Sequence, residues 1–140
     1  MAESKSVFVL ASFAVPAYFH AEDGGERVLE LLNNAREAKA ELTMSLINVG
    51  EVVYLMGRNR GRKIAELTLK DLHGLPITFY EASEERILAA AWIKSSHAIS
   101  YADSFAVQLA QELKAILVTG DPEFKTVKDL KVLWLVEHAG

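Results

Sequence analysis

Glu51, Asp103 and Asp121 are the acids whose positions a solvated surface does not explain. Glu51 lies in INVGEVVYLM, where Val49, Val52, Val53 and Met56 form an apolar helix face and Asn48, three residues earlier, sits one turn before it. Asp103 follows Ser100-Tyr101-Ala102 in the first turn of a strongly striped helix, where the dipole and free N–H groups favour a carboxylate. Asp121 closes a buried strand in TGDPEF. Taken singly, two of these have plain structural readings: an acid at a helix start steadies its own helix, and Asp before Pro forms turns. Taken together, hard oxygen donors at several element ends suit Mg²⁺ or Mn²⁺, and no His or Cys ligand spacing competes with them. The chemistry such a site serves is phosphoryl transfer, in which the cation polarises the phosphate, activates water and neutralises developing charge.

These acids need a frame, and the apolar pattern supplies an α/β one. Short β-branched or aromatic runs alternate with stretches of helical spacing, as in a largely parallel sheet. Strands are predicted over Ser6–Leu10, Leu42–Leu46, Ile77–Tyr80, Ile116–Thr119 and Lys131–Leu135. One helical stripe joins Val28, Leu31, Leu32 and Ala35, and a second joins Ile87, Leu88, Ala91 and Trp92. The clearest runs Ala102, Phe105, Ala106, Leu109, Ala110, Leu113. In SVFVLASFAVPAYF the first strand runs straight into a helix that Ser12 is placed to cap, with Pro16 in its first turn.

At 140 residues the chain reads as one domain, residues 1–140, able to bury a core without cross-links. It has no cysteine, so neither a disulfide framework nor a thiolate metal site is available. MAESKS is not a secretory signal, and no apolar run reaches the roughly 18 residues of a membrane span. A soluble, cytoplasmic protein is the expectation. A net charge of −4 argues against a general nucleic-acid coat and confines any nucleic-acid contact to a local patch.

One position disturbs the pattern. Ligands of open α/β sheets gather beyond the carboxyl ends of strands, and the first strand ends at Ala11, which has no chemistry to offer. With that exception the chain resembles the PIN-domain ribonucleases, and among them the VapC-type toxins of bacterial and archaeal type II toxin–antitoxin pairs. The resemblance spans about Ser6 to Leu135 and rests on VLAS, NVGE, SYAD and TGDPEF standing in order on the expected elements. It implies a three-layer αβα fold with a five-stranded, mainly parallel sheet, and Mg²⁺- or Mn²⁺-dependent cleavage of RNA. It assigns the metal-site acids to Glu51, Asp103 and Asp121, with Ser12, Asn48 and Thr119 in support. It further implies a homodimer, and a small antitoxin that covers the acidic cleft with an inserted basic side chain, for which arginine's planar fork is suited.

Ala11 stands where such a family carries its first Asp, and reads as a lost ligand that impairs catalysis by this chain. A natural loss and a deliberate Asp-to-Ala change both fit, and the otherwise intact motifs favour the second. The alternative function is a catalytically silent module that holds an antitoxin or RNA. A phosphoacceptor or phosphatase mechanism fails, since residue 11 and its neighbours carry no acid. Arg58, Arg60, Arg62 and Lys63 in MGRNRGRK are possible RNA contacts, or else a solvated helix end. His20, His73, His97 and His138 are scattered and read as surface or turn residues. Trp92 and Trp134 lie on apolar faces and read as core. Pro16 to Phe19 fit either an exposed apolar surface or a buried first helix.

Overall fold

The computed structural model describes residues 5–138. Its elements are β1 (Ser6–Leu10), α1 (Ala14–Phe19), α2 (Gly25–Arg36), β2 (Ala40–Ser45), α3 (Leu46–Arg60), α4 (Arg62–His73), β3 (Ile77–Tyr80), α5 (Glu84–Ser96), α6 (Tyr101–Leu113), β4 (Ile116–Thr119), a short 3-10 helix (Pro122–Thr126) and β5 (Val132–Trp134). All five strands are parallel, in the order β3-β2-β1-β4-β5.

Alternation along β1 divides the core into two layers. Phe8 and Leu10 face one side, packing with Val28, Leu31 and Leu32 of α2 and Val49, Val52 and Met56 of α3. Val9 and Ala11 face the other, with Ala106, Val107, Leu109 and Ala110 of α6. Helices therefore cover both faces of the sheet, as parallel strands require. The buried Thr43 hydroxyl is paired within this core, donating to the Phe8 carbonyl at 2.8 Å.

Two predicted strands are adjusted. β2 spans Ala40–Ser45 rather than Leu42–Leu46, because the Ser45 side chain accepts from the Ile47 N–H and starts α3 at Leu46. β5 contracts to Val132–Trp134. The α5 stripe is corrected more deeply. Trp92 is 75% exposed, and Ile87 and Leu88 are exposed too, while Ala90 is the buried residue of that helix. The inward face of α5 is small because α5 and α6 are held partly by a polar clasp: Arg86 donates two bonds, both 3.0 Å, to the Glu112 carboxylate. Ser12 does not cap α1; the cap residue is Phe13, which makes no side-chain bond there. Pro16 does sit in the first turn, and Ala14, Val15 and Ala17 are buried.

Candidate metal centre and acidic cleft

The sheet order reverses between β1 and β4, so a crevice opens beyond the carboxyl ends of these central strands. Three segments deliver acids to it. The first is α3, which leaves β2 directly and carries Glu51 on its second turn. The second is the start of α6, where the Ser100 hydroxyl accepts the Asp103 N–H at 3.1 Å and fixes the turn that holds Asp103. The third is the loop after β4: Thr119 Oγ1 accepts the Asp121 N–H at 3.1 Å, and Asp121 Oδ1 accepts the Glu123 N–H at 2.9 Å. Asp121 is thus both a turn-former and a member of the acidic group.

Asp103, Asp121 and Glu123 each offer a carboxylate oxygen, all within 4.8 Å of one another. Glu51 lines the same cleft of about 550 Å³ but stands outside that tight trio. Glu123 is the residue sequence reasoning missed. The signal was its place two residues beyond Asp121 in TGDPEF, where Pro122 starts a 3-10 turn that brings it back toward Asp121.

Electrostatically the site is under tension. Asp103 is 6% exposed, and its carboxyl is raised to about 7, first by burial, then by a hydrogen bond shared with Glu123 and by the charges of Glu51 and Asp121. The Ser100 hydroxyl pulls weakly the other way. Two further oxygens are buried without a hydrogen-bond partner, Glu51 Oε1 and Asn48 Oδ1. The amide of Asn48 is occupied elsewhere, its Nδ2 donating to the Ala102 carbonyl at 2.9 Å, which ties α3 to the first turn of α6. Crowded carboxylates, a proton held against the usual aspartate range and orphaned acceptors together fit a hard divalent cation. Among the described residues, this trio is the group of acids and histidines able to converge on a metal.

The remaining sequence candidates fall on both sides of the line. Ser12 lines the cleft. Ala11 is 1% exposed and belongs to the α6-facing core with Ala106 and Val107, the residues one turn on from Asp103. Of the basic group only Arg60 reaches the cleft wall. Arg58 stacks over Tyr54 at 5.4 Å, and Arg62 bonds Glu66 at 2.8 Å within α4, so neither is directed at the acids. Lys63 is exposed on α4 and does not line the cleft. Phe13, Pro16, Val52, Leu55 and Met56 give the cleft an apolar part of its lining beside its acids.

The profile of one family, described as PIN domain, matches residues 8–130. This chain belongs to the PIN-domain family. The strands of this PIN domain and its cleft acids lie inside the matched range except for β5 and the first residues of β1. No curated protein matches it by sequence. Solved structures match its fold. The Salmonella typhimurium VapBC complex bound to DNA aligns with a TM-score of 0.72 at 12% identity, covering 94% of this chain and 99% of that one. VapBC2 from Rickettsia felis, bound to a fragment of its promoter, gives 0.68 at 19%, covering 91% and 97%. VapC20 of Mycobacterium tuberculosis, described as a toxin that cleaves the sarcin-ricin loop, gives 0.67 at 16%, covering 86% and 93%. At these identities the likeness establishes the fold. No helix among the described residues is long and apolar enough to cross a membrane.

Proposed function

We propose that this PIN domain, spanning residues 1–140, is the toxin of a type II toxin–antitoxin pair: a cytoplasmic, divalent-metal-dependent endoribonuclease whose activity Ala11 impairs. The observation that supports this best is the convergence of Asp103, Asp121 and Glu123 at the carboxyl ends of the central strands. In this reading Asp103 and Asp121 hold Mg²⁺ or Mn²⁺ with Glu51, and Glu123 joins them. When bound, the cation supplies Lewis acidity at the phosphate and lowers the pKa of water.

The chain's own residues have separable tasks. Asp103 must give up its proton to become a ligand, so occupancy of the site rises with pH near neutrality. Asn48 and Ser100 hold the start of α6 in place. Arg60, on the cleft wall, meets the phosphate backbone. The apolar lining from Phe13 to Met56 sheds water and receives a base or the apolar flank of an inhibitor. An antitoxin that places an arginine among the acids and apolar side chains against this lining complements both parts of the cleft. A homodimer completes the assembly.

A second reading, a silent module that holds RNA or an antitoxin, is favoured by one observation, the alanine at position 11. Ala11→Asp separates the two. Restored Mn²⁺-dependent cleavage of RNA, against little by the parent chain, supports the nuclease. A folded, metal-loaded Ala11→Asp protein that leaves varied RNAs intact overturns it.

A further inference from the structure

A second concavity lies at the open edge of the sheet, away from the acids, and its residue types are those that hold single-stranded nucleic acid. It has a volume of about 540 Å³ and its floor is Trp134, the last residue of β5. Around it stand Arg27, Lys125 and His138, with one carboxylate, Glu137, also on the lining. β5 is an edge strand, paired with β4 alone, so the half-buried indole is not sealed by a further strand. Lys125 is exposed and its Nζ stands 5.8 Å from the centre of the indole. A solvated ammonium over an aromatic face marks a face the protein has not packed. His138 meets the ring edge-on at 5.1 Å and 86°. Arg27 Nη1 donates to the Trp134 carbonyl at 2.8 Å, leaving the rest of its guanidinium charge at the rim.

This edge is tied to the acidic cleft through backbone. The short 3-10 helix carries Glu123 toward Asp103 and Asp121, and two residues on it carries Lys125 to the indole. His138 Nε2 is bonded to the Gly120 carbonyl at 2.6 Å, one residue before Asp121. A single strand passing the acids would thus meet an indole flanked by Arg27, held by its bond to the Trp134 carbonyl, and by the exposed Lys125. On an acidic body this is a local basic patch of the kind single-strand binding requires.

We infer that the Trp134–Lys125–Arg27 concavity is a nucleotide subsite, stacking one base of single-stranded RNA on Trp134 while Lys125 and Arg27 meet its phosphate. This rests on the ribonuclease reading and adds a binding position whose lining residues are distinct from those of the acidic cleft. Lys125 leaves the indole for the phosphate as the base replaces it over the ring.

The chain has two tryptophans, so a Trp92→Phe background makes Trp134 the sole indole reporter. In chelator, where no cleavage occurs, a short oligouridylate is expected to quench Trp134 saturably, and an abasic ribose-phosphate oligomer of equal length is not. Lys125→Ala is expected to weaken oligouridylate binding roughly tenfold and to flatten its salt dependence. Trp134→Leu is expected to lower affinity similarly while keeping the circular dichroism of the parent. Should Trp134→Leu fail to fold, the exposed Lys125→Ala still decides. Labelled RNA that binds with no change in Trp134 emission and no effect of Lys125→Ala overturns the subsite and leaves the nuclease reading standing. Absence of any RNA binding overturns both. A Trp134 response to an acidic peptide but not to RNA makes the concavity a protein-docking surface and overturns the subsite.

Discussion

Asp103 carries the largest electrostatic burden of any single side chain described. In an unfolded chain an aspartate ionises near 4, whereas in the fold Asp103 keeps its proton to about 7. Between those values the folded state binds the extra proton, so metal-free stability falls as pH rises through that window and stays low above it. Asp103→Asn removes this dependence. We expect it to raise the metal-free melting temperature at pH 8 and leave it nearly unchanged at pH 4, measured as paired melting curves across that range. A variant whose advantage is equal at both ends would show that ionising the buried Asp103 carboxyl does not set the cost. Residue-level chemistry was only partly legible in the sequence. Asp103 and Asp121 stood out because motif order and strand ends put them there. Glu123 did not, because a 3-10 turn folds it back through local geometry that no hydrophobic period encodes. Arg58 and Arg62 looked equivalent to Arg60 in a basic run, and only the positions of Tyr54 and Glu66 on the helices distinguish them.

At the scale of elements, the strands were readable because a parallel strand buried on both sides is nearly all apolar, and three of five have the predicted limits. Helix α5 was misread for the converse reason. Its predicted stripe is not its buried face: Ile87, Leu88 and Trp92 face out, while Ala90 is buried, Ile93 packs on the core and Arg86 bonds Glu112 of α6. Substitutions on that helix should therefore invert the usual expectation. Trp92→Ser is expected to change stability by no more than about 0.5 kcal/mol, whereas Arg86→Ala, which leaves Glu112 with only its bond from Gln108 and frees Tyr80 from its cation, is expected to cost about 1 kcal/mol. Denaturant midpoints of the two variants check this, and a larger loss for Trp92→Ser would mean the buried face of α5 has been misassigned. The entry to α2 is stricter. A Cβ at Gly25 would overlap the Ala17 carbonyl, backbone that cannot give way without moving α1, so Gly25→Ala should destabilise by roughly 2 kcal/mol or more. The same denaturant titration reads it.

Taken as a whole molecule, the fold keeps Asp103, Asp121 and Glu123 close by burying Asp103, whose carboxyl is raised to about 7, and by bracing Asp121 on hydrogen bonds with Thr119 and the Glu123 N–H, while Glu51 lines the same cleft. A cation that binds the native state alone adds stability as its concentration exceeds its dissociation constant, by about 2.7 kcal/mol at a hundredfold excess. We expect Mn²⁺ to raise the melting temperature of this chain, and to raise that of Ala11→Asp further, because a further carboxylate adds a ligand and, in the metal-free protein, more repulsion. Without metal the parent chain should be at least as stable as Ala11→Asp. Equal Mn²⁺-induced shifts in the two proteins would remove residue 11 from the metal site.

The strand order has a consequence in time as well as in space. β1 is synthesised before the other four strands yet ends in the middle of the sheet, and one of its two neighbours, β4, is made only after β2 and β3. Until Ile116 to Thr119 has emerged, one side of β1 has no partner, and Asp121 and Glu123 have not yet been synthesised or have no loop to hold them. A nascent chain with the Ala11→Asp change would thus carry no assembled ring of acids while it is still tethered to the machinery that makes it. Arrested chains ending before Ile116 should be open to protease and bind no Mn²⁺, and chains long enough to expose β5 should gain both protections together.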